Sequence, residues 1–189
     1  MKLLYVDACM RDCSRTKRLA EHFILELRDR YEVKHIRLND LGLTPLLHDE
    51  LIMRDALIVA SDYQNDQFRF AREFAAADKI VFAAPYWDMS FPAALKIYFE
   101  RISAVNITFC GEGDKLKGLC RADKALYIST AGGYVNYHHG EAYTKALLEM
   151  LGIYCFEGVC CDGLDIQGAD IEARLCNTKQ KLSTIAISF

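Results

Sequence analysis

The sequence predicts a doubly wound parallel α/β fold. Three observations carry that expectation. Strand-like and helix-like apolar patterns alternate from end to end of the 189 residues. The strand candidates are compact apolar runs suited to burial on both faces. Five such runs separated by helices call for a three-layer α/β/α domain with strand order 2-1-3-4-5, spanning residues 1–189 as one unit.

Lys2–Val6 is a short apolar run that leads into a polar turn, Asp7–Arg15. From Thr16 the period changes. Leu19, Phe23 and Leu27 stand at i, i+4 and i+8, flanked by Ala20 and Ile24, which is the stripe of an amphipathic helix. Tyr31–Leu38 alternates like a strand, with Val33 and Ile36 among charged neighbours. Residues 48–77 read as two helical stretches broken near Ser61-Asp62. Lys79–Ala84 is a buried strand and Pro92–Ser103 a helix with Leu95, Phe99 and Ile102 on one side. Ala125–Ser129 follows as a strand, Glu141–Leu151 as a helix, Tyr154–Cys160 as the last strand and Ala169–Ile185 as the final helix.

Composition excludes several classes. A net charge of −3, from 23 basic and 26 acidic residues, provides no basic stripe for nucleic acid. No stretch of 18 apolar residues suggests a membrane span, and the N-terminal apolar run is too short for a signal peptide, so a cytoplasmic protein is expected. Eight cysteines occur without a CxxC pair, which leaves metal sites and a disulfide framework unsupported and free thiols as the expectation. There is no P-loop motif. Residues 111–118, GEGDKLKG, begin like a dinucleotide fingerprint, but Leu116 stands where the third glycine belongs and no helix follows.

In a sheet of this order a ligand binds beyond the carboxyl ends of the strands, beside strand 1. Three turns lie there. After strand 1 comes Cys13-Ser14-Arg15-Thr16, whose two hydroxyls at a helix start suit either a phosphate or plain N-capping. After strand 3 comes Pro85-Tyr86-Trp87-Asp88-Met89, bounded by Pro92, whose aromatics suit a flat ring or a core. After strand 4 comes Thr130-Ala131-Gly132-Gly133, where paired glycines allow backbone to approach a ligand closely. Together, a phosphate turn, an aromatic wall and backbone donors describe a flavin mononucleotide site.

With these motifs in place the chain resembles the flavodoxin-like NAD(P)H:quinone reductases and FMN-dependent azoreductases. The resemblance runs through SRTKRLAEHF, AAPYWDMSFPAALKIYFERI, TFCGEGDKLKGL and STAGGY, and is poor over residues 40–75. It implies FMN held by Ser14, Arg15 and Thr16 at its phosphate, by Pro85, Tyr86, Trp87, Asp88 and Met89 at its ring, and by Thr130, Ala131, Gly132 and Gly133. It implies NADH or NADPH as co-substrate and a quinone or azo acceptor, reduced by two-electron ping-pong hydride transfer. A homodimer is also implied, with Tyr63, Phe68 and Phe70 offering residues for the contact. The alternatives are a flavodoxin-type electron carrier or a flavin-binding module without turnover. His138 and His139 follow the glycine turn, and His138 is a candidate proton donor to the acceptor. The sequence departs from the family pattern at Asp7-Ala8, where serine is frequent, at Asp88, where asparagine is usual, and near Ala131, where arginine is often found.

Overall fold

The computed structural model describes residues 1–189. Five parallel strands form the central sheet: β1 (Lys2–Asp7), β2 (Glu32–Arg37), β3 (Lys79–Ala83), β6 (Lys124–Thr130) and β7 (Cys155–Cys161), in the order β2-β1-β3-β6-β7. Counting sheet strands alone, this is the expected 2-1-3-4-5 arrangement of the flavodoxin-like fold. Helices α1 (Arg15–Leu27), α2 (His48–Val59), α3 (Arg69–Ala75), α4 (Ala93–Ile102), α5 (His139–Met150) and α6 (Ile171–Ile187) complete the chain.

Alternation along the strands divides the core in two. Leu4, Val6, Ile80, Phe82 and Tyr127 face a layer made by Phe74 of α3, Tyr98 and Phe99 of α4 and Leu148 of α5. Leu3, Tyr5, Val81, Leu126 and Ile128 face the opposite layer, made by Leu19, Phe23 and Leu27 of α1 with Leu175 and Leu182 of α6. The i, i+4, i+8 stripe on α1 is therefore its buried face. β3, at the sheet centre, is buried at every position, as a run covered on both sides must be.

One element has no counterpart in the expected order. Residues 109–118 form an antiparallel hairpin, β4 (Phe109–Glu112) with β5 (Lys115–Gly118). Gly113 takes φ 66 in the two-residue turn between them. Such turns need a positive φ, which glycine adopts without a steric penalty. The glycines that imitate a nucleotide fingerprint thus serve a turn. Gly118 also packs on the end of α5: a β-carbon there would lie 2.1 Å from the carbonyl carbon of Leu151.

Helix α2 stands apart from the rest. It has no buried residue, and Leu51, Ile52, Met53 and Val59 are exposed. It is held by Leu57 and Ile58, which pack against Phe68, Ala71 and Ala104, and by polar contacts, with Arg54 Nη1 donating to the Glu100 carbonyl at 3.1 Å and Arg101 paired with Glu50 at 2.9 Å. The aromatics expected at a subunit contact differ in burial. Phe68 is buried, Phe70 packs edge-on against Tyr98, and the Tyr63 hydroxyl accepts from Asn106. Phe68 is thus used within the chain, whereas Tyr63 and Phe70 are half-buried. No helix is long and apolar enough to cross a membrane, and all eight cysteines are free.

Candidate active site

The carboxyl edge of the sheet is extended by backbone bonds beyond the strands. Ala8 N donates to the Ala83 carbonyl at 2.8 Å, Tyr86 N to Thr130 at 2.9 Å and Ala131 N to Cys161 at 3.0 Å. The turns after β1, β3 and β6 are therefore fixed at a common level. They enclose a cavity of ≈ 380 Å³, within the range of small-ligand pockets.

The first wall is the turn after β1. Ser14 and Arg15 line the cavity, and Ser14 caps α1 by accepting from Lys17 N at 3.3 Å. The N–H groups of Arg15 and Thr16 have no acceptor in the protein. At the start of a 13-residue helix these are unsatisfied donors at the positive end of the dipole, a place for an anion. Thr16 itself is fully buried, and its hydroxyl lies 2.7 Å from that of Thr130. The Ser14 and Thr16 hydroxyls are thus not a free pair. Thr16 offers its backbone, while its side chain joins the first turn to the end of β6.

The second wall is Pro85, Tyr86 and Trp87. Tyr86 is anchored at its hydroxyl, which donates to the Tyr137 carbonyl at 3.0 Å. Trp87 and Ser90 exchange backbone bonds of 3.2 and 2.8 Å around a two-residue turn. The turn residues, Asp88 and Met89, take φ 48 and φ 66. A left-handed conformation costs an L-residue about 1–2 kcal/mol, so two in succession store local strain beside the cavity. Both are exposed at the tip of the turn and neither lines the cavity.

The third wall is Thr130, Ala131 and Gly132, whereas Gly133 lies outside the lining. The turn after β7 supplies a fourth wall through Leu164 and Asp165. It is paired to the third by Leu164 N on the Ala131 carbonyl at 3.1 Å and Asp165 N on Gly132 at 2.8 Å. Gly132 lets Asp165 lie close over this turn: a β-carbon would meet Asp165 Oδ2 at 2.3 Å and displace that side chain. Asp165 in turn reaches across to Arg15, with Oδ1 2.7 Å from Nη1. Met10, Arg11 and Cys13 complete the rim.

His138 does not reach this cavity. It precedes α5 as its N-cap residue, with Nδ1 3.6 Å from Glu141 Oε2. No group of three or more His, Cys, Asp or Glu side chains is arranged to hold a metal ion. Sequence reasoning omitted the fourth wall. The signal was present, since the turn after the last strand also lies at the carboxyl edge, and Gly163, at φ 67, turns the chain back over it.

Fold and cavity together define a flavodoxin-like protein, and the comparisons agree. A family model described as Flavodoxin-like fold matches residues 1–185, and the chain belongs to that family. It is 35% identical over its whole length, and over 99% of the relative, to an FMN-dependent NADH:quinone oxidoreductase of Lachnoclostridium phytofermentans. It is 34% identical, with the same coverage, to FMN-dependent NADH:quinone oxidoreductase 2 of Clostridium acetobutylicum. Among solved structures, an azoreductase from Bacillus anthracis superposes with TM-score 0.87 at 19% identity, covering all of both chains. An FMN-dependent NADH-azoreductase from the same species, in complex with FMN, gives TM-score 0.83 at 19% identity over 99% of this chain and 98% of that one. At such identities the structural likeness bears on the fold alone.

Proposed function

We propose that this chain is an FMN-dependent NADH:quinone oxidoreductase, a single-domain protein that acts as a homodimer in the cytoplasm and also accepts azo compounds. The observation that carries the reading is convergence. An anion-ready helix start, an aromatic wall and a backbone-rich turn, far apart in sequence, meet around one cavity.

The residues present fit FMN. The free N–H groups of Arg15 and Thr16 and the guanidinium groups of Arg11 and Arg15 suit its phosphate. Pro85, Tyr86 and Trp87 suit the flat ring, and the turn Thr130–Gly132 presents backbone beside it. The chemistry that a bound FMN supplies is two-electron transfer between NADH and a quinone. The protein's part is to bind, orient and exclude water. Tyr86, fixed through Tyr137, and Trp87, 39% exposed, offer apolar surface on which a flat acceptor can stack. No side chain in the cavity is a histidine.

The test is direct. Apoprotein reconstituted with FMN should oxidise NADH continuously with menadione as acceptor, and apoprotein alone should not. Failure to retain FMN, or FMN binding without NADH consumption, overturns the reading; the latter result describes an electron carrier or a binding module.

The homodimer is supported by α2, whose apolar residues Leu51, Ile52, Met53 and Val59 lack partners within the chain. Light scattering should give twice the 21.5 kDa of one chain. A fully active monomer at micromolar concentration contradicts it. The eight free thiols support a reducing compartment.

A further inference from the structure

Asp7 closes β1 at the foot of the turn that leads to α1, and it is fully buried. Its Oδ1 accepts the N–H of Cys9 at 2.9 Å. Its Oδ2 makes no hydrogen bond and lies 3.5 Å from Nε2 of His35, which stacks on Tyr5 with ring centroids 4.3 Å apart. Cys9 is buried in turn. Its thiol points to the Ala83 carbonyl at 3.8 Å, and the turn that it opens leads to Ser14, the residue that caps α1. A second tie holds the same turn from outside, Arg37 Nη2 on Asp12 Oδ1 at 2.6 Å. Asp12 is 94% exposed, so that tie is weak.

A carboxylate in this place depends on its partners, His35 and the Cys9 N–H. Burying a charge is unfavourable unless it is paired, and one oxygen of Asp7 has no hydrogen bond. Its negative charge also opposes an anion at the start of α1, so attraction to the cofactor cannot be its role. What it does supply is an acceptor for the first free N–H of the turn, at a depth that water does not reach.

We infer that Asp7 is a positioning residue for the phosphate-binding turn: by holding the Cys9 N–H it fixes the start of the turn that delivers Ser14 and the Arg15 and Thr16 N–H groups to the anion site. This rests on the proposed FMN site and adds to it a buried residue that lines no part of the cavity.

The experiment compares FMN with riboflavin, which lacks the phosphate, by quenching of flavin fluorescence on titration with apoprotein. Asp7→Ala should weaken FMN about tenfold, the scale of one lost hydrogen bond to a charged group, and riboflavin less than about threefold. Asp7→Asn keeps the Oδ1 acceptor and should bind both flavins within about threefold of wild type. If Asp7→Ala does not fold, the shape-matched Asp7→Leu is read in the same way. Equal loss of FMN and riboflavin, an Asn variant as poor as Ala, or unchanged FMN binding by Asp7→Ala overturns the inference. Wild-type apoprotein that takes up neither flavin overturns the proposed function, and this inference with it.

Discussion

The hydroxyls of Thr16 and Thr130 meet at 2.7 Å in the floor of the cavity, joining the start of α1 to the end of β6 across 114 residues. Both residues are buried, so each hydroxyl depends on the other for a partner. Thr16→Val should cost about 1–3 kcal/mol by leaving the Thr130 hydroxyl unpaired, and Thr130→Val a similar amount. The double valine variant should lose less than the sum of the two. Urea unfolding of all four proteins checks the cycle, and strict additivity would show that the bond contributes nothing.

The strained turn after β3 predicts a gain. Met89→Gly places the residue best suited to φ 66 at the second turn position. Relief of about 1–2 kcal/mol, less about 0.4–1 kcal/mol for the extra chain entropy of glycine in the unfolded state, leaves up to about 1 kcal/mol and should raise Tm by up to roughly 4 °C. A scan of the apoprotein reads this, and a fall in Tm would mean that the Met89 side chain contributes more than its backbone costs.

Asp165 holds Arg15 across the mouth of the site and places a carboxylate at its rim. Asp165→Asn should release the guanidinium and remove a charge that opposes the phosphate. FMN affinity should rise about threefold at low ionic strength, the scale of a surface ion pair, and the gain should shrink in high salt. Fluorescence titration at two salt concentrations tests both statements. Weaker FMN binding would mean that Asp165 orients Arg15 for the phosphate.

Acid stability should carry the mark of Asp7. Burial pushes its carboxyl up, but the His35 ring and the Cys9 contacts outweigh burial and hold it below the ordinary aspartate range. The unfolded chain takes up this proton near pH 4, whereas the folded carboxylate resists until lower pH. The contribution is therefore present above about pH 4 and disappears as pH falls through the folded value. The stability difference between wild type and Asp7→Asn, measured by urea unfolding from pH 6 downward, should narrow with acid. A constant difference removes the linkage.

The frame of the molecule was legible because its strands are strongly apolar and its helices carry clean stripes. Leu19, Phe23 and Leu27 could belong only to a covered helix, and Lys79–Ala83 only to a central strand. The hairpin at 109–118 escaped because its strands are only four residues each, FCGE and KLKG, too short to establish a period. Of the site, the three turns were legible from topology, and the roles of single atoms were not. Ser14 and Thr16, two residues apart, look equivalent in sequence. Only the approach of Thr130 turns one hydroxyl inward. Asp7 appeared merely as a departure from a pattern, since the burial that gives it meaning comes from β2 and the turn beyond it.

The fourth wall has a consequence for biosynthesis. Asp165 and Leu164 lie between β7 and α6, and α6 supplies the cover for α1. A nascent chain that has released everything through β6 holds the phosphate turn, the aromatic wall and the glycine turn, yet it lacks the fourth wall and the helix that packs beside α1. Ribosome-bound intermediates should therefore remain colourless, with flavin captured only after α6 leaves the exit tunnel and docks. Supply of the vitamin would then govern maturation after synthesis, and starved cells should accumulate folded apoprotein that can be rescued without new translation.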